Sequence, residues 1–287
     1  MRLSSVTEIV VPADENASGM SRRAFFKRAT VAGATGAVVL SGFAGLESIS
    51  AQEAGDDDRI DPLPLNEGDR DILVAAEIAE ALAVTTYMNI IHHAPFFKRL
   101  APDDQGYLKA ALQEEMSHYL LEQDATDQFT PFTSFFYPHK MFADAQVTLN
   151  TLVTLEDAFI AAYLVGVRNF SRRKLRVTAA RIMGIESDHR TLARVVGPGV
   201  AAEDGGPIEK VTGAQGVAES VDPPNNNGYE RTLCWTQISQ AVDALLPFVD
   251  KSAAAKAGFN TGKSFPFEPF NPVLPNELGE FISFKGC

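Results

Sequence analysis

The stretch "QEEMSHYL", residues 113–120, places Glu115 three positions before His118, and "IESDHRTL", residues 185–192, repeats this spacing with Glu186 and His189. Residues three positions apart lie on the same face of a helix, so the two side chains of each pair can reach one shared ion. Both pairs also occupy positions where the helical period expects apolar, core-facing residues. A carboxylate and an imidazole at such positions need a partner inside the protein.

Apolar residues recur at steps of three and four along four segments: from about residue 70, then 103–126, 144–170 and Leu175 to Val196. This period predicts four helices, each with one core-facing seam. Every seam also contains at least one glutamate, and four of these, one from each seam, are Glu80, Glu115, Glu156 and Glu186. Burying an uncompensated carboxylate costs on the order of several kcal/mol, and no lysine or arginine occupies the seams nearby. A fold that buries all four glutamates must therefore pair them, protonate them or bind cations, and the two histidines on the same helix faces favour a shared ion.

The connections between the predicted helices indicate how they are arranged. The first and second helices are joined by a short segment, as are the third and fourth, which favours two antiparallel hairpins. The connection at 127–142 is long enough, at about 3.3 Å per extended residue, to cross the bundle from end to end. We therefore predict an all-α fold, a four-helix bundle with one long crossover whose aromatic residues pack against the bundle.

The two halves of this predicted bundle repeat one motif. Glu80 precedes Tyr87 by seven positions, Glu156 precedes Tyr163 by seven, and each half then supplies its Glu-x-x-His pair. This combination resembles the ferritin-like superfamily of dimetal carboxylate proteins over residues 70–197. The resemblance implies a ferritin-like bundle that holds two metal ions between its helices.

The resemblance also implies a role for each residue of the motif. The six implied ligands are two terminal glutamates, Glu80 and Glu156, two bridging glutamates, Glu115 and Glu186, and two nitrogen ligands, His118 and His189. Tyr87 and Tyr163 would be hydrogen-bond donors of the catalytic centre, each to a carboxylate of the opposite half. Carboxylate oxygen together with imidazole nitrogen suits iron or manganese. Two metal ions are expected, with iron as the first choice and manganese as the alternative.

Three further glutamates lie close to these positions. Glu77 is one turn before Glu80, and Glu114 adjoins Glu115, so either could replace its neighbour as a ligand. The tyrosine spacing and the seam positions favour Glu80 and Glu115. Glu122 extends the second seam, where it is either a carboxylate on the path into the site or, as we expect, a solvated residue near the helix end.

The first 51 residues have the pattern of an export signal. The sequence "SRRAFFKR" pairs Arg22 with Arg23 ahead of a weakly apolar run that ends in the small residues of "SISAQ". This order resembles a twin-arginine signal peptide. We therefore expect residues 1–51 to be removed on export to the periplasm or the extracellular space, with a polar linker following at 52–69. Exported ferritin-like proteins that this chain resembles are sometimes linked to desiccation or stress.

The rest of the chain is predicted to form an irregular connection at 198–228, a fifth helix at 229–250 and an extended Pro- and Phe-rich tail at 251–287. Such a tail would hinder packing into a closed cage, so we expect no storage shell, while a homodimer stays open. Cys234 and Cys287 either form a disulfide in an oxidising compartment or are two independent thiols.

The composition restricts the classes of partner. The formal net charge is −12, spread along the chain, which disfavours nucleic acid and anionic membrane surfaces. No stretch is apolar enough for long enough to predict a membrane span. The N-terminal segment and the resemblance together imply an exported dimetal protein that oxidises ferrous ion or consumes dioxygen or peroxide. The alternative is a non-catalytic stress or desiccation protein of the envelope with a structural or vestigial metal site.

Overall fold

The computed structural model describes residues 65–126, 132, 134–196 and 232–273 of the 287-residue chain. The predicted signal peptide at 1–51 and the irregular connection at 198–228 lie outside these residues. Most of the predicted linker, the end of the tail and Cys287 lie outside them as well. Cys234 is exposed.

Four long helices form the body of the protein. They are α1 Glu67–His93, α2 Pro102–Ala125, α3 Ala145–Asn169 and α4 Arg173–Val196. The side chain of Asn66 accepts a hydrogen bond from the Asp69 backbone N–H at 2.7 Å, and this cap starts α1 inside the predicted linker. The predicted all-α architecture, a four-helix bundle with a long connection between its second and third helices, is confirmed.

Short connections close the two hairpins of the bundle. A 3₁₀ helix at Pro95–Arg99 joins α1 to α2, and residues 170–172 join α3 to α4. Gly166 permits the close packing of the second hairpin, because a Cβ added there would lie 2.8 Å from Phe170 Cε2 and 3.3 Å from Ala179 Cβ. A larger residue at this position would therefore force neighbouring atoms to move.

The crossover between α2 and α3 contains a short strand, β1 Ser134–Pro138, which pairs antiparallel with β2 Phe259–Pro266. Its aromatic side chains pack inward as predicted, since Phe135 and Tyr137 are buried. The Tyr137 hydroxyl lies in hydrogen-bonding distance, 3.0 Å, of the Thr86 hydroxyl on α1. This contact and the buried aromatic side chains hold the crossover against α1.

The C-terminal part differs from its prediction in two respects. The fifth helix, α5 Ile238–Val249, begins at Ile238 rather than at residue 229, because a reciprocal cap between Gln237 and Gln240 starts it there. The segment predicted as an extended tail first forms a short helix, α6 Lys251–Lys256, and then becomes strand β2. The partner of β2 is distant in the sequence, so no local pattern predicts this pairing.

Helices α1 and α3 form the interior of the bundle. Every residue of α1 from Ile72 to Tyr87 is buried, because other elements pack on the face opposite to its predicted seam. Among the described residues these two helices are long and apolar enough to cross a bilayer, but 89% and 72% of their most apolar windows are buried inside the protein. The core helix of a folded domain can have the same length and hydropathy. These two helices are therefore weak evidence for a membrane span.

Candidate metal centre

The side chains that the sequence singles out as ligands meet in the middle of the bundle. Each long helix contributes one buried glutamate to this cluster, and the four are Glu80 on α1, Glu115 on α2, Glu156 on α3 and Glu186 on α4. His118 and His189 follow one turn after the glutamates of α2 and α4, so they enter the same space.

The six residues form two overlapping groups, and within each group the ligand atoms lie within 4.8 Å of one another. Each group has its own glutamate and histidine: Glu80 with His118, and Glu156 with His189. Both groups contain Glu115 and Glu186. Glu115 and Glu186 therefore lie between the Glu80/His118 pair and the Glu156/His189 pair. Two carboxylates in this position could bridge two ions.

The Nδ1 atoms of both histidines face the shared carboxylates. His118 Nδ1 lies 3.2 Å from Glu186 Oε1, 3.5 Å from Glu80 Oε2 and 3.8 Å from Glu115 Oε2. His189 Nδ1 lies 2.8 Å from Glu115 Oε1 and 3.6 Å from Glu186 Oε2. The same nitrogen of each ring is thus turned into the cluster.

Most of these inward-facing atoms are buried without a hydrogen bond of acceptable geometry. They are Oε2 of Glu80 and Glu156, both carboxylate oxygens of Glu115 and Glu186, and Nδ1 of both histidines. An unsatisfied buried polar group costs about 1–3 kcal/mol, so a fold that collects this many in one place requires compensation. Cations that accept their lone pairs would supply it, and the residues present therefore fit a metal centre.

The charge of the cluster leads to the same conclusion. Among the described residues, the ion-pair partners of Glu80, Glu115 and Glu186 are the two histidines, and no lysine or arginine takes part. Four ionised carboxylates carry four negative charges, which two divalent cations would balance while the imidazoles act as neutral ligands. One divalent cation would leave two buried charges uncompensated.

Burial and mutual repulsion control protonation in the cluster. Burial raises the pKa of Glu80 and of Glu156 well above its usual range, and the charges of Glu115 and Glu186 raise both further. Burial lowers the pKa of His118 and His189, but the adjacent carboxylates outweigh it and raise both well above the usual range. Metal binding would displace the protons that these groups hold, because metal ligands bind in their deprotonated forms.

The two tyrosines of the repeated motif connect the halves of the bundle. Tyr87 donates a hydrogen bond to Glu156 Oε1 at 2.7 Å. Tyr163 lies in hydrogen-bonding contact with Glu80 Oε1 and, at 2.7 Å, with Glu122 Oε1. Each tyrosine thus contacts Oε1 of a glutamate from the opposite half of the bundle. The Oε2 atom of that glutamate, in Glu80 and in Glu156, is left for the cluster.

Glu114 contacts the centre from outside and is absent from both ligand groups. Its Oε2 lies 2.9 Å from His189 Nε2, and its side chain is 39% exposed. A carboxylate at this distance favours a proton on Nε2 and leaves Nδ1 free to act as a ligand. The sequence presents Glu114 only as a substitute for Glu115, and nothing in its spacing indicates this contact with α4.

Glu122 and Glu77 are buried, with 1% of each exposed. The expectation that Glu122 is a solvated residue near a helix end is therefore wrong, because Tyr163 of α3 packs over its carboxyl group. Glu77 accepts a hydrogen bond from the Thr126 hydroxyl at 2.8 Å and is not in either ligand group. The position of Glu122 on the second seam was the signal of its burial.

Comparisons with known proteins agree with this description of the bundle. Residues 68–197 match the family model of the ferritin-like domain, which covers α1 to α4 and all six candidate ligands. A search of curated proteins returned no match. Residues 68–197 are therefore similar in sequence to the ferritin-like domain, and the predicted fold class is confirmed.

Proposed function

We propose that the ferritin-like domain binds two metal ions, iron first and manganese as the alternative, and oxidises ferrous ion or consumes dioxygen or peroxide. The observation that carries the proposal is the set of buried oxygen and nitrogen atoms that face one another without hydrogen-bond partners. Glu115 and Glu186 contribute both of their oxygens to this set. Bridging by two such carboxylates would hold two ions close together.

The donor atoms favour iron or manganese over other metals. A structural zinc site more often uses cysteine, and the described cysteine, Cys234, is exposed and is not a member of either ligand group. Calcium prefers oxygen ligands alone, whereas each ligand group contains an imidazole nitrogen. A mixed set of carboxylates and imidazoles suits ions that change oxidation state.

When bound, such ions supply electron transfer to dioxygen or peroxide and Lewis acidity. The protein's residues perform the remaining tasks. Glu80 and Glu156 are held by tyrosine hydroxyls, which limits how far these carboxylates can move. The four carboxylates are buried, so bulk water does not reach them. The side chain of His118, in contrast, is 13% exposed. Among the described ligand side chains, His118 is therefore the most open approach to the centre for a small oxidant.

The proposal predicts metal content and a matching reaction. After anaerobic reconstitution with ferrous ion, the protein is expected to contain about two iron ions per chain. Addition of dioxygen or hydrogen peroxide should then convert ferrous to ferric ion, with the oxidant as electron acceptor. Elemental analysis and optical absorbance measure the two results. Glu268→Ala, a change at an exposed carboxylate outside the ligand groups, is the control and should match wild type.

Two other outcomes have distinct meanings. A metal content well below one ion per chain after reconstitution would contradict the dimetal centre. Two bound ions without any oxidation of ferrous ion would contradict the proposed activity and favour a structural metal site in a stress or desiccation protein.

We also propose that the chain leaves the cytoplasm by the twin-arginine route, which suits a protein that binds its metals before export. Changing Arg22 and Arg23 together to lysine is expected to retain the protein inside, because this route reads the arginine pair. Cell fractionation measures the result. The sequence offers a matched control, since Arg172 and Arg173 also follow a serine, and their double change to lysine should leave export intact. Export of the Arg22/Arg23 variant would contradict the proposal.

A further inference from the structure

A second apolar cluster, separate from the main core, lies where α1, α3 and α4 meet. Within it is a pocket with a volume of about 20 Å³, which we call the apolar pocket. Its lining comes from all four long helices, the turn between α3 and α4, and α5. All but three of the lining residues are apolar, and the exceptions are Glu122, Tyr163 and Thr178.

Two of these exceptions connect the apolar pocket to the candidate metal centre. The hydroxyl of Tyr163 contacts Glu80 Oε1, and Glu122 Oε1 lies 2.7 Å from the same hydroxyl. Glu80 is a member of one ligand group. A molecule in the apolar pocket would therefore touch a side chain that itself touches a candidate ligand.

The apolar pocket is most exposed on the side of α2 and α5. Leu121 of α2 and Ile238 of α5 line it and are half-buried in the part of the chain that the structure describes. Each of the other lining residues is at most 8% exposed. The pocket thus extends from near the surface at Leu121 and Ile238 to the interior of the bundle at Tyr163.

The size of the apolar pocket restricts its occupant. One water-sized molecule needs roughly 10–15 Å³. A volume of about 20 Å³ therefore has room for one very small molecule and excludes a lipid chain or an organic substrate.

The chemistry of the lining selects among very small molecules. Tyr163 and Glu122 contact each other, and the Thr178 hydroxyl donates to the Lys174 carbonyl at 3.1 Å, so few partners are left for water. Ferrous ion and hydrogen peroxide would lose their hydration here without recovering it. Cavities lined by apolar side chains take up apolar gases such as xenon. Dioxygen is a small apolar gas, and it is the oxidant that fits this pocket.

We propose that the apolar pocket is a dioxygen-binding site that supplies the Glu80 side of the metal centre. The inference rests on the proposed function, because it takes dioxygen as an oxidant of that centre. It deepens that function by separating two approaches. Dioxygen enters through the apolar pocket, whereas ions and peroxide use the polar approach at His118, whose side chain is 13% exposed.

A second pocket of the same volume provides an internal control. This control pocket is lined only by apolar residues, and its lining includes no member of either ligand group and neither tyrosine of the motif. Ala75 of α1 lines the control pocket, and its neighbour Ala76 lines the apolar pocket. The same substitution at two adjacent positions of one helix therefore fills one pocket and leaves the other open.

Xenon binding, followed by NMR of methyl groups, tests the site without metal and without a reaction. In full-length wild type stripped with chelator, xenon is expected to shift the methyl signals of Ile182, which lines the apolar pocket. Ala76→Val should abolish this shift because its added methyl groups occupy the pocket, whereas Ala75→Val should keep it. Ile182 signals that do not respond to xenon in wild type would overturn the proposal.

A second variant changes the apolar pocket in the opposite direction. Ile182→Val removes one methylene from the lining and changes no candidate ligand, so the pocket becomes larger. Xenon should then shift the methyl signals of Leu175, another lining residue, at least as strongly as in wild type. A weaker response would contradict an apolar gas site.

Oxidation of the ferrous-loaded protein tests the route. Ala76→Val should slow the reaction with dioxygen several-fold and leave the reaction with hydrogen peroxide at the wild-type rate. Ala75→Val should react with both oxidants like wild type. Stopped-flow absorbance measures the four rates. Equal slowing with both oxidants in Ala76→Val, or equal slowing with dioxygen in the two variants, would overturn the proposal.

Failure of the proposed function would give a different result. A wild type that binds no metal, or that does not oxidise ferrous ion, would contradict that function, while a xenon shift at Ile182 would still support the gas site. A wild type that reacts with dioxygen but shows no xenon shift would contradict the gas site alone.

Discussion

Replacing Glu186 with alanine is expected to remove both metal ions from the protein, whereas replacing Glu156 with alanine is expected to remove one. Both residues are fully buried glutamates in the cluster, so the two changes delete the same chemical group. They differ in position, because Glu186 belongs to both ligand groups and Glu156 belongs to one. Loss of a bridging carboxylate weakens both sites at once, while loss of a terminal carboxylate weakens its own site.

Elemental analysis after identical reconstitution measures this difference. The expected contents are about two ions per chain for wild type, about one for Glu156→Ala and close to none for Glu186→Ala. His189→Ala, which removes a nitrogen from one group, should resemble Glu156→Ala. Equal metal contents in Glu186→Ala and Glu156→Ala would contradict the bridging role of Glu186.

Metal-replete wild type is expected to be several kcal/mol more stable than Glu186→Gln, and this difference should nearly disappear when both proteins are stripped with chelator. A ligand that binds only the folded state adds about 4 kcal/mol per site when its free concentration is 1,000-fold above Kd. Glutamine keeps the volume of the side chain, so a cavity contributes little. Without metal, the remaining carboxylates and imidazoles can exchange protons to rebalance the charge.

Denaturant unfolding of both proteins, with metal and with chelator, measures the two differences. A stability gap of the same size in chelator would mean that Glu186 stabilises the fold through protein contacts alone, which would contradict a metal-linked role. Glu268→Gln is the control for a charge change outside the cluster, and it should show no gap in either condition.

The bundle and the buried position of the candidate ligands could be predicted because both follow from local periodicity. A residue's face on a helix depends on its spacing from its neighbours, so Glu115 and His118 had to share a face wherever α2 was placed. The apolar residues around them marked that face as buried. The pairing of Tyr87 with Glu156 across the bundle was implied by the resemblance to the ferritin-like superfamily and did not follow from spacing.

The contacts of Glu114 and Glu122 could not be predicted, because each depends on a helix that is distant in the sequence. Glu114 contacts His189 of α4, and Glu122 contacts Tyr163 of α3. The rotation and height of one helix relative to another place these atoms, and packing of whole side-chain surfaces determines both. A spacing rule within α2 contains no information about either quantity.

The C-terminal segment illustrates the same division between local and long-range causes. Its Pro- and Phe-rich composition without a helical period predicted an extended segment, but strand β2 exists because β1 of the crossover offers hydrogen-bond partners. Periodicity along the chain was thus sufficient to predict that Glu80, Glu115, Glu156, Glu186, His118 and His189 enter the core, but not that Glu77 and Glu122 are buried as well. Packing between distant helices alone established that Tyr163 lies between two carboxyl groups, because a hydrogen bond depends on the positions of atoms and a sequence pattern specifies only faces.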